Sequence, residues 1–260
     1  MKKLFAWILA GVMLLSVAAC GKEETVVDDS SDNEAGEVFI IQGAAGEETY
    51  EYDLTTGNTI EITSYSGDYA LHTVTVPATI DGRPVTAIGD KAFYHANNIT
   101  EVVIPDTVTK IGDWAFAGCN YLTKVTGSDA VTTIGMGAFC QCPELTTVQI
   151  SSTVATIGDY AFKSCESLAS VTLPSSLTEI GDAAFEGCAS LTSVSVPSSV
   201  KSIGLLAFSG CTKLSSVTLT AGTTEIGDFI FNACAADLVI SCPAGSAAAT
   251  YAANAGIKTK

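Results

Sequence analysis

Histidine and basic side chains are scarce in this chain of 260 residues. It has only two histidines, His72 and His95, and 12 Lys and Arg residues against 28 Asp and Glu residues. Neither histidine has a nucleophile–base partner or zinc-ligand spacing around it, so we predict no catalytic residue, no metal site and no cofactor. The formal net charge of −16 argues against a nucleic-acid partner, because such a chain repels phosphate backbones.

Long hydrophobic runs are also missing, except at the N-terminus. There two lysines precede an apolar stretch from Leu4 to Val17, which is shorter than the ~20 residues of a membrane-spanning helix. This is the pattern of a signal peptide over residues 1–19. Val17-Ala18-Ala19-Cys20 resembles a bacterial lipobox, which implies cleavage before Cys20 and lipidation of its thiol. The alternative is an ordinary leader followed by a chance cysteine.

Residues 20–37 combine high charge with an absence of aromatic side chains. The acidic residues here are Glu23, Glu24, Asp28, Asp29, Asp32, Glu34 and Glu37. Such a segment buries too little apolar surface to fold, so we predict an extended, self-repelling linker between the lipidated Cys20 and a folded domain. A cation-binding acidic arm is the alternative.

What the chain does have is a 23-residue period. A Phe falls at seven equally spaced positions: Phe93, Phe116, Phe139, Phe162, Phe185, Phe208 and Phe231. An Ile-Gly pair precedes each of them, from Ile88-Gly89 to Ile226-Gly227. A fixed period of roughly 20–50 residues is typical of stacked repeats, in which equivalent residues form ladders along a solenoid.

Residues 162–182 illustrate one coil of this solenoid. Leu168-x-x-Val171-x-Leu173-Pro174 has apolar residues two apart before a residue that lacks an N–H, which predicts a short strand ending at the proline. Gly181 predicts a turn that either needs a positive φ or has no room for a Cβ. Asp182 is expected to cap a single helical turn through its carboxylate.

Both ends of the chain depart from the period. Residues 49–54 and 59–63 alternate polar and apolar side chains around Thr56-Gly57-Asn58, which predicts a β-hairpin. We therefore divide the folded part into an N-terminal β cap with a degenerate first repeat (38–84), the repeats (85–242) and a C-terminal cap (243–260).

A cysteine recurs in six successive coils: Cys119, Cys142, Cys165, Cys188, Cys211 and Cys234. We predict a ladder of buried free thiols, since side chains in a ladder run parallel. A disulfide within the column is the alternative, because exported proteins can form disulfides. Cys140 lies outside the column and is expected to be exposed, whereas Cys242 replaces a strand aliphatic and is expected to be buried.

An aspartate recurs after the Ile-Gly pair in five coils: Asp90, Asp113, Asp159, Asp182 and Asp228. We interpret these residues as turn caps rather than as calcium ligands. Met136 and Leu205 interrupt the column, and a metal ladder would not tolerate such gaps, whereas a cap concerns only its own coil.

The outward positions of the repeated strand are the candidate binding surface, and we call them the strand face. They are almost all hydroxyl side chains, with little charge and no aromatic residue. The candidate residues are Thr100, Glu101, Thr123, Lys124, Thr126, Thr146, Thr147, Gln149, Ser170, Thr172, Thr192, Ser193, Ser195, Ser216 and Thr218.

The repeated pattern L-x-x-V-x-L-P-x-x-L-x-x-I-G-x-x-A-F-x-x-C resembles the BspA-like (Treponema pallidum type) leucine-rich repeat. The segment from Leu168 to Cys188 matches it at every position, and the resemblance covers about residues 74–243. It implies a leucine-rich-repeat solenoid: a right-handed, curved parallel β coil with short helical turns on its convex side. A β-hairpin is expected to cap the N-terminal end and a short helix the C-terminal end.

The resemblance also implies a bacterial surface protein without catalytic residues, linked to adhesion or host-protein binding. Together with the leader, it predicts a monomeric, non-enzymatic lipoprotein that is exported and attached to the cell envelope through its lipid alone. The expected partner is an unidentified protein or glycan bound at the strand face. The alternative is a structural spacer or envelope component without a dedicated ligand.

Overall fold

The computed structural model describes residues 24–26, 37–42, 47–67 and 70–260. The first ten strands are β1 (Glu24–Val26), β2 (Glu37–Gln42), β3 (Glu47–Leu54), β4 (Ile60–Gly67), β5 (His72–Thr75), β6 (Thr79–Ile80), β7 (Arg83–Ile88), β8 (Ile99–Ile104), β9 (Lys110–Ile111) and β10 (Lys124–Gly127). The remaining elements are β11 (Thr133–Ile134), β12 (Thr147–Val148), β13 (Thr156–Ile157), β14 (Glu179–Ile180), β15 (Ser193–Ser195), β16 (Ser202–Ile203), β17 (Ser216–Thr218), β18 (Glu225–Ile226), β19 (Val239–Ser241), the helix α1 (Ala247–Ala255) and β20 (Lys258–Thr259).

The repeats form a parallel β-solenoid, as the 23-residue period predicts. Strands β7, β9, β11, β13, β14, β16 and β18 pair in that order, and we call this sheet the Ile-Gly side. Its register is strict, so that Ile134 pairs with Ile111 and with Ile157. On what we call the strand side, β5, β8, β10 and β12 form one sheet, and β15, β17, β19 and β20 form another.

The Phe column fills the core of the solenoid. From Phe93 to Phe231, successive ring centroids lie between 4.8 and 5.8 Å apart and the rings stack nearly parallel. This separation follows from the ~4.8 Å spacing of paired strands. Tyr65 stacks on Phe93 at 4.7 Å and Tyr251 packs edge-on against Phe231 at 6.1 Å, so an aromatic ring from each cap closes the column.

The N-terminal cap is an antiparallel extension of the Ile-Gly side. The predicted hairpin is present as β3 and β4, and β4 then pairs in parallel with β7. β1 pairs antiparallel with β2, so the linker predicted for residues 20–37 is wrong at residues 24–26. Glu24-Thr25-Val26 contains two β-branched residues, and the edge of β2 offers backbone groups for pairing.

A run of turns replaces the helical turn expected in each coil. The residue before each Ala-Phe pair is left-handed, as at Tyr160 with φ 59°. Successive backbone N–H groups therefore point in alternate directions. The Ala161 N–H donates to the Gly158 oxygen within the same coil, whereas the Phe162 N–H donates to the Ala184 oxygen of the next coil. The turns thus add a further ladder of hydrogen bonds between coils, which a helical turn would not provide.

The repeated glycine is required by close packing of the coils. None of these glycines has a positive φ, but a Cβ on Gly181 would lie 2.5 Å from the backbone nitrogen of Asp159. A Cβ on Gly227 would lie equally close to the nitrogen of Leu205. Of the two explanations left open by the sequence, the lack of room for a Cβ is therefore the right one.

The C-terminal cap contains the short closing helix that the sequence predicts. Ser246 caps α1, its hydroxyl accepting the N–H of Ala249 at 3.2 Å, and Gly256 ends the helix with φ 68°. Ala248 and Ala252 of α1 are buried against the last coil, and β20 then pairs with β19.

Candidate binding surface

The strand-face residues lie together on one accessible surface. Lys124 on β10 pairs with Glu101 on β8 and Thr147 on β12, and Ser193 on β15 pairs with Ser216 on β17. All fifteen residues are half-buried or exposed, and from Thr146 onward all except Ser216 are exposed. The strand-face residues therefore share one polar side of the solenoid, which is built from two sheets that do not pair with each other.

This surface is electrically neutral although the chain carries a formal net charge of −16. Its two charged residues pair with each other, with 3.5 Å between Lys124 Nζ and Glu101 Oε2. The remaining members carry hydroxyl or amide groups. A ligand would therefore meet hydrogen-bonding groups here rather than a charged field.

The hydroxyl groups of the strand face divide into two sets. The hydroxyls of Thr100, Thr123 and Thr146 each donate to a backbone oxygen of the preceding coil, at 2.9 to 3.0 Å. Within residues 70–260, which the structure describes without a gap, the strand-face hydroxyls from Thr147 onward make no intramolecular hydrogen bond. The C-terminal half of the face can therefore both donate to a ligand and accept from it.

The strand side is interrupted at residues 168–174, which form no strand. The strand predicted for this segment is therefore wrong. Ser170 and Thr172 lie here, exposed, between the sheet that ends at β12 and the one that begins at β15. Gly127 stands where other coils carry an aliphatic side chain, and a cavity of about 10 Å³ lies beside it under β12. Strand pairing on this side shortens from four residue pairs between β8 and β10 to two between β10 and β12, and then stops.

The thiol column is buried and unbridged, as predicted, except that Cys234 is only partly buried. Each thiol donates to the carbonyl oxygen of the Phe in the preceding coil, for example from Cys188 Sγ to Phe162 O at 3.2 Å. Burial raises the pKa of Cys188 to about 12 and, less strongly, that of Cys234 to about 11. These thiols therefore stay protonated in the folded chain and act as core donors.

Two further cysteines differ from expectation. Cys140 is buried, at 7% exposure, rather than exposed. Burial raises the pKa of this thiol, and the neighbouring Cys142 adds to the rise. Cys242 is half-buried rather than buried, since it lies in the last coil before the C-terminal cap.

The aspartate column clamps one coil to the next and does not cap its own coil. Asp182 Oδ1 accepts the backbone N–H of Leu205 at 2.7 Å, and Asp113 Oδ1 accepts that of Met136 at 2.8 Å. The receiving coil contributes only a backbone N–H, so Met136 and Leu205 can receive a clamp without being acidic. Across the residues that the structure describes, no three His, Cys, Asp or Glu side chains are grouped to hold a metal ion.

A buried acid–base cluster joins the N-terminal cap to the first coil, and the sequence did not indicate it. His72 Nε2 lies 3.0 Å from the Tyr65 hydroxyl and 3.6 Å from Glu48 Oε1, and the Tyr50 hydroxyl donates to Glu48 Oε2 at 2.9 Å. His72 Nδ1 lies 2.8 Å from the Ala70 oxygen, which can only accept, so Nδ1 carries a proton. Burial, followed by the charge of Glu48, raises the pKa of both tyrosines.

The predicted signal peptide (1–19) and lipidated Cys20 lie outside the described residues. Among the residues that are described, no helix has the length and apolar character needed to cross a membrane. Outside the strand face, Tyr94, Tyr121 and Tyr160 are exposed, whereas Trp114 is half-buried.

Solved structures of bacterial leucine-rich repeat proteins are similar to this chain. A leucine-rich cell surface protein from Faecalibacterium prausnitzii A2-165 is 28% identical with a TM-score of 0.50, over 77% of this chain and 75% of that protein. A T. pallidum leucine-rich repeat protein is also 28% identical, with a TM-score of 0.49, over 81% of this chain and 95% of its own. Among curated proteins nothing matches.

The family model described as "BspA type Leucine rich repeat region (6 copies)" matches residues 86–205 and 178–243. Together these matches cover more than half of the chain, and they include every coil from β9 to β18. The matched part contains the Ile-Gly side, the Phe and Cys columns and nearly all of the strand face. The chain therefore belongs to the BspA-type leucine-rich repeat family.

Proposed function

We propose that this chain is an exported, lipid-anchored, non-catalytic protein of the bacterial cell surface that binds a protein or glycan through its strand face. The observation that carries the proposal is the row of exposed, unpaired hydroxyls from Thr147 to Thr218 on a neutral surface. Neutral polar surfaces with free donors and acceptors suit sugar hydroxyls and peptide backbones alike. The similar protein from Faecalibacterium prausnitzii is described as a cell surface protein, which agrees with the proposed location.

The binding proposal is tested with the full chain against immobilised matrix proteins and against glycans released from them. Thr147 and Thr192 are exposed and lie on either side of the interruption, so Thr147→Lys with Thr192→Lys should abolish binding. The matched control is Thr133→Lys with Thr224→Lys, which adds the same charge at exposed positions of the Ile-Gly side. Absence of any partner at micromolar concentration, or equal binding by both double variants, would favour the spacer function instead.

The lipid anchor is tested separately by mass spectrometry of the mature N-terminus. We expect a chain that begins at Cys20 with diacylglycerol on the thiol, and we expect Cys20→Ala to leave the membrane fraction. A leader that is retained, or an unmodified Cys20, would contradict the anchor without affecting the binding proposal.

A further inference from the structure

The C-terminal half of the Ile-Gly side carries an open groove of about 660 Å³. It runs across β14, β16 and β18 and the residues that follow each strand, with Gly181, Gly204 and Gly227 in its lining. Five carboxylates and no Lys or Arg line the groove: Asp159, Glu179, Asp182, Glu225 and Asp228. We call this surface the acidic groove.

None of these carboxylates has a cationic partner within 4.0 Å in residues 70–260. The N-terminal half of the Ile-Gly side differs in its charge balance, because Lys110 occupies the position that Glu179 and Glu225 occupy in later coils. Lys110 Nζ lies 4.0 Å from Glu61 Oε1, so a carboxylate there has a cationic partner. Successive coils are ~4.8 Å apart, so the groove concentrates like charges along its length. A cation placed in the groove would relieve this repulsion.

Two exposed apolar side chains accompany the carboxylates of the acidic groove. Leu205 lines the groove at 42% exposure, and Phe229, which directly follows Asp228, is 64% exposed. Phe229 also holds φ 56°, a conformation that bulky side chains rarely adopt. Ile226 is half-buried, whereas the equivalent Ile180 and Ile203 are buried, so this end of the groove lacks cover.

We propose that the acidic groove is a second docking surface, which takes an extended cationic segment of a partner protein with apolar side chains between its Lys or Arg residues. Charge complementarity selects this occupant, and Leu205 and Phe229 supply its apolar contacts. Glu179 and Glu225 are two coils apart, about 10 Å, which is close to the three-residue repeat of an extended polyproline II chain at about 3.1 Å per residue. Basic residues at every third position therefore match the groove.

The test is fluorescence anisotropy of the full chain with a labelled twelve-residue peptide, four repeats of Lys-Pro-Leu. We expect saturable binding that weakens as salt is raised. Glu179→Gln with Glu225→Gln should raise the Kd about fivefold to tenfold. Glu144→Gln with Glu166→Gln removes the same charge at exposed positions outside the groove and should change the Kd by less than about twofold.

A second variant, Phe229→Asn, tests whether apolar contacts contribute to peptide binding in addition to the negative charge. Phe229→Asn relieves the positive φ, because Asn tolerates this conformation, so the fold is retained while the apolar contact is lost. It should raise the Kd about threefold or more. Equal losses in the groove and control double variants, an unchanged Kd in both groove variants, or equal binding of a Glu-Pro-Leu peptide would overturn the proposal.

The strand-face double variant keeps this proposal distinguishable from the proposed function. Thr147→Lys with Thr192→Lys lies on the other sheet and should leave the affinity for the Lys-Pro-Leu peptide unchanged. A loss of peptide binding in that variant would contradict the acidic groove as the docking site, whatever the strand face itself binds.

Discussion

The Ile-Gly side and the strand side are built from the same coils, yet only the Ile-Gly side pairs without interruption. Every neighbouring pair of strands from β7 to β18 is bonded there, whereas the strand side separates around residues 168–174. The Ile-Gly pair is identical in all seven coils, while the strand varies in its inward residues, as at Gly127. Strict repetition therefore holds the solenoid together on one side and leaves the other side free to diverge.

The two sides also differ in what limits substitution. On the Ile-Gly side, the backbone of one coil lies directly against the backbone of the next, so glycine cannot be replaced without moving a coil. On the strand side, the outward hydroxyls of Thr100, Thr123 and Thr146 donate to the preceding coil, whereas those from Thr147 onward make no such bond in the described part of the chain. Substitutions at these later outward positions should therefore cost little stability.

The largest difference between the two sides is expected from Gly181→Ala. The added Cβ would lie 2.5 Å from the backbone nitrogen of Asp159 and 2.7 Å from the carbonyl carbon of Gly158, and these backbone atoms cannot move aside locally. We expect a loss of about 1–3 kcal/mol in the free energy of unfolding by urea. Ser170→Ala, at an exposed position of the strand side, should stay within about 0.5 kcal/mol. Similar losses in the two variants would show that the sides do not differ.

The thiol column, which joins successive coils beneath both sides, should make the fold sensitive to alkaline pH. The pKa of Cys188 rises from 9.0 to about 12 on burial, so above pH 9 the unfolded chain loses this proton while the folded chain keeps it. The stability from this thiol is thus complete below pH 9 and falls as pH rises, by about 1.4 kcal/mol at pH 10.

The measurement is the urea unfolding free energy of the wild type and of Cys188→Ala at pH 8 and pH 10. Other thiols and tyrosines titrate in both proteins, so the difference between their pH slopes isolates Cys188. We expect the variant to be less stable at pH 8 but to lose less on going to pH 10. Equal slopes would mean that the thiol ionises freely in the folded chain.

Much of the core could be predicted from the sequence because ladder positions are set by the period itself. The Phe column and the unbridged thiols follow from residue type and spacing, and the closing helix follows from the resemblance to the BspA-like repeat. Leu168 to Pro174 shows the limit: the segment matches the repeat at every position, yet it forms no strand. Parallel strands depend on their neighbours, and the strand of the preceding coil, β12, has only two residues.

The errors at Cys140 and in the aspartate column have a related cause. A single coil viewed alone suggests a local partner for each polar group, such as a cap within the same turn. In the solenoid the nearest partner is often the equivalent atom 23 residues later, as for Asp182 and Leu205. The acidic groove likewise becomes visible only when carboxylates from three different coils are brought together.

A smaller effect is expected from Asp182→Ala, which separates a clamp between coils from a cap within one coil. Asp182→Ala removes the acceptor of the Leu205 N–H and should lower the free energy of unfolding by about 0.5–1.5 kcal/mol. Hydrogen exchange should then accelerate at the Leu205 amide, 23 residues away, and not at the amides of residues 183–185. The reverse pattern would restore the cap interpretation.

Met136→Asp should instead stabilise the fold, because Met136, like Leu205, offers no carboxylate oxygen to the next coil. The new carboxylate would accept the Asp159 N–H, as Asp113 accepts that of Met136 at 2.8 Å. Repulsion from Asp113 and Asp159 offsets part of this gain, so we expect a stabilisation of no more than about 0.5 kcal/mol. Slower exchange at the Asp159 amide is the more sensitive readout, and its absence would mean that the clamp depends on more than the carboxylate's position in the column.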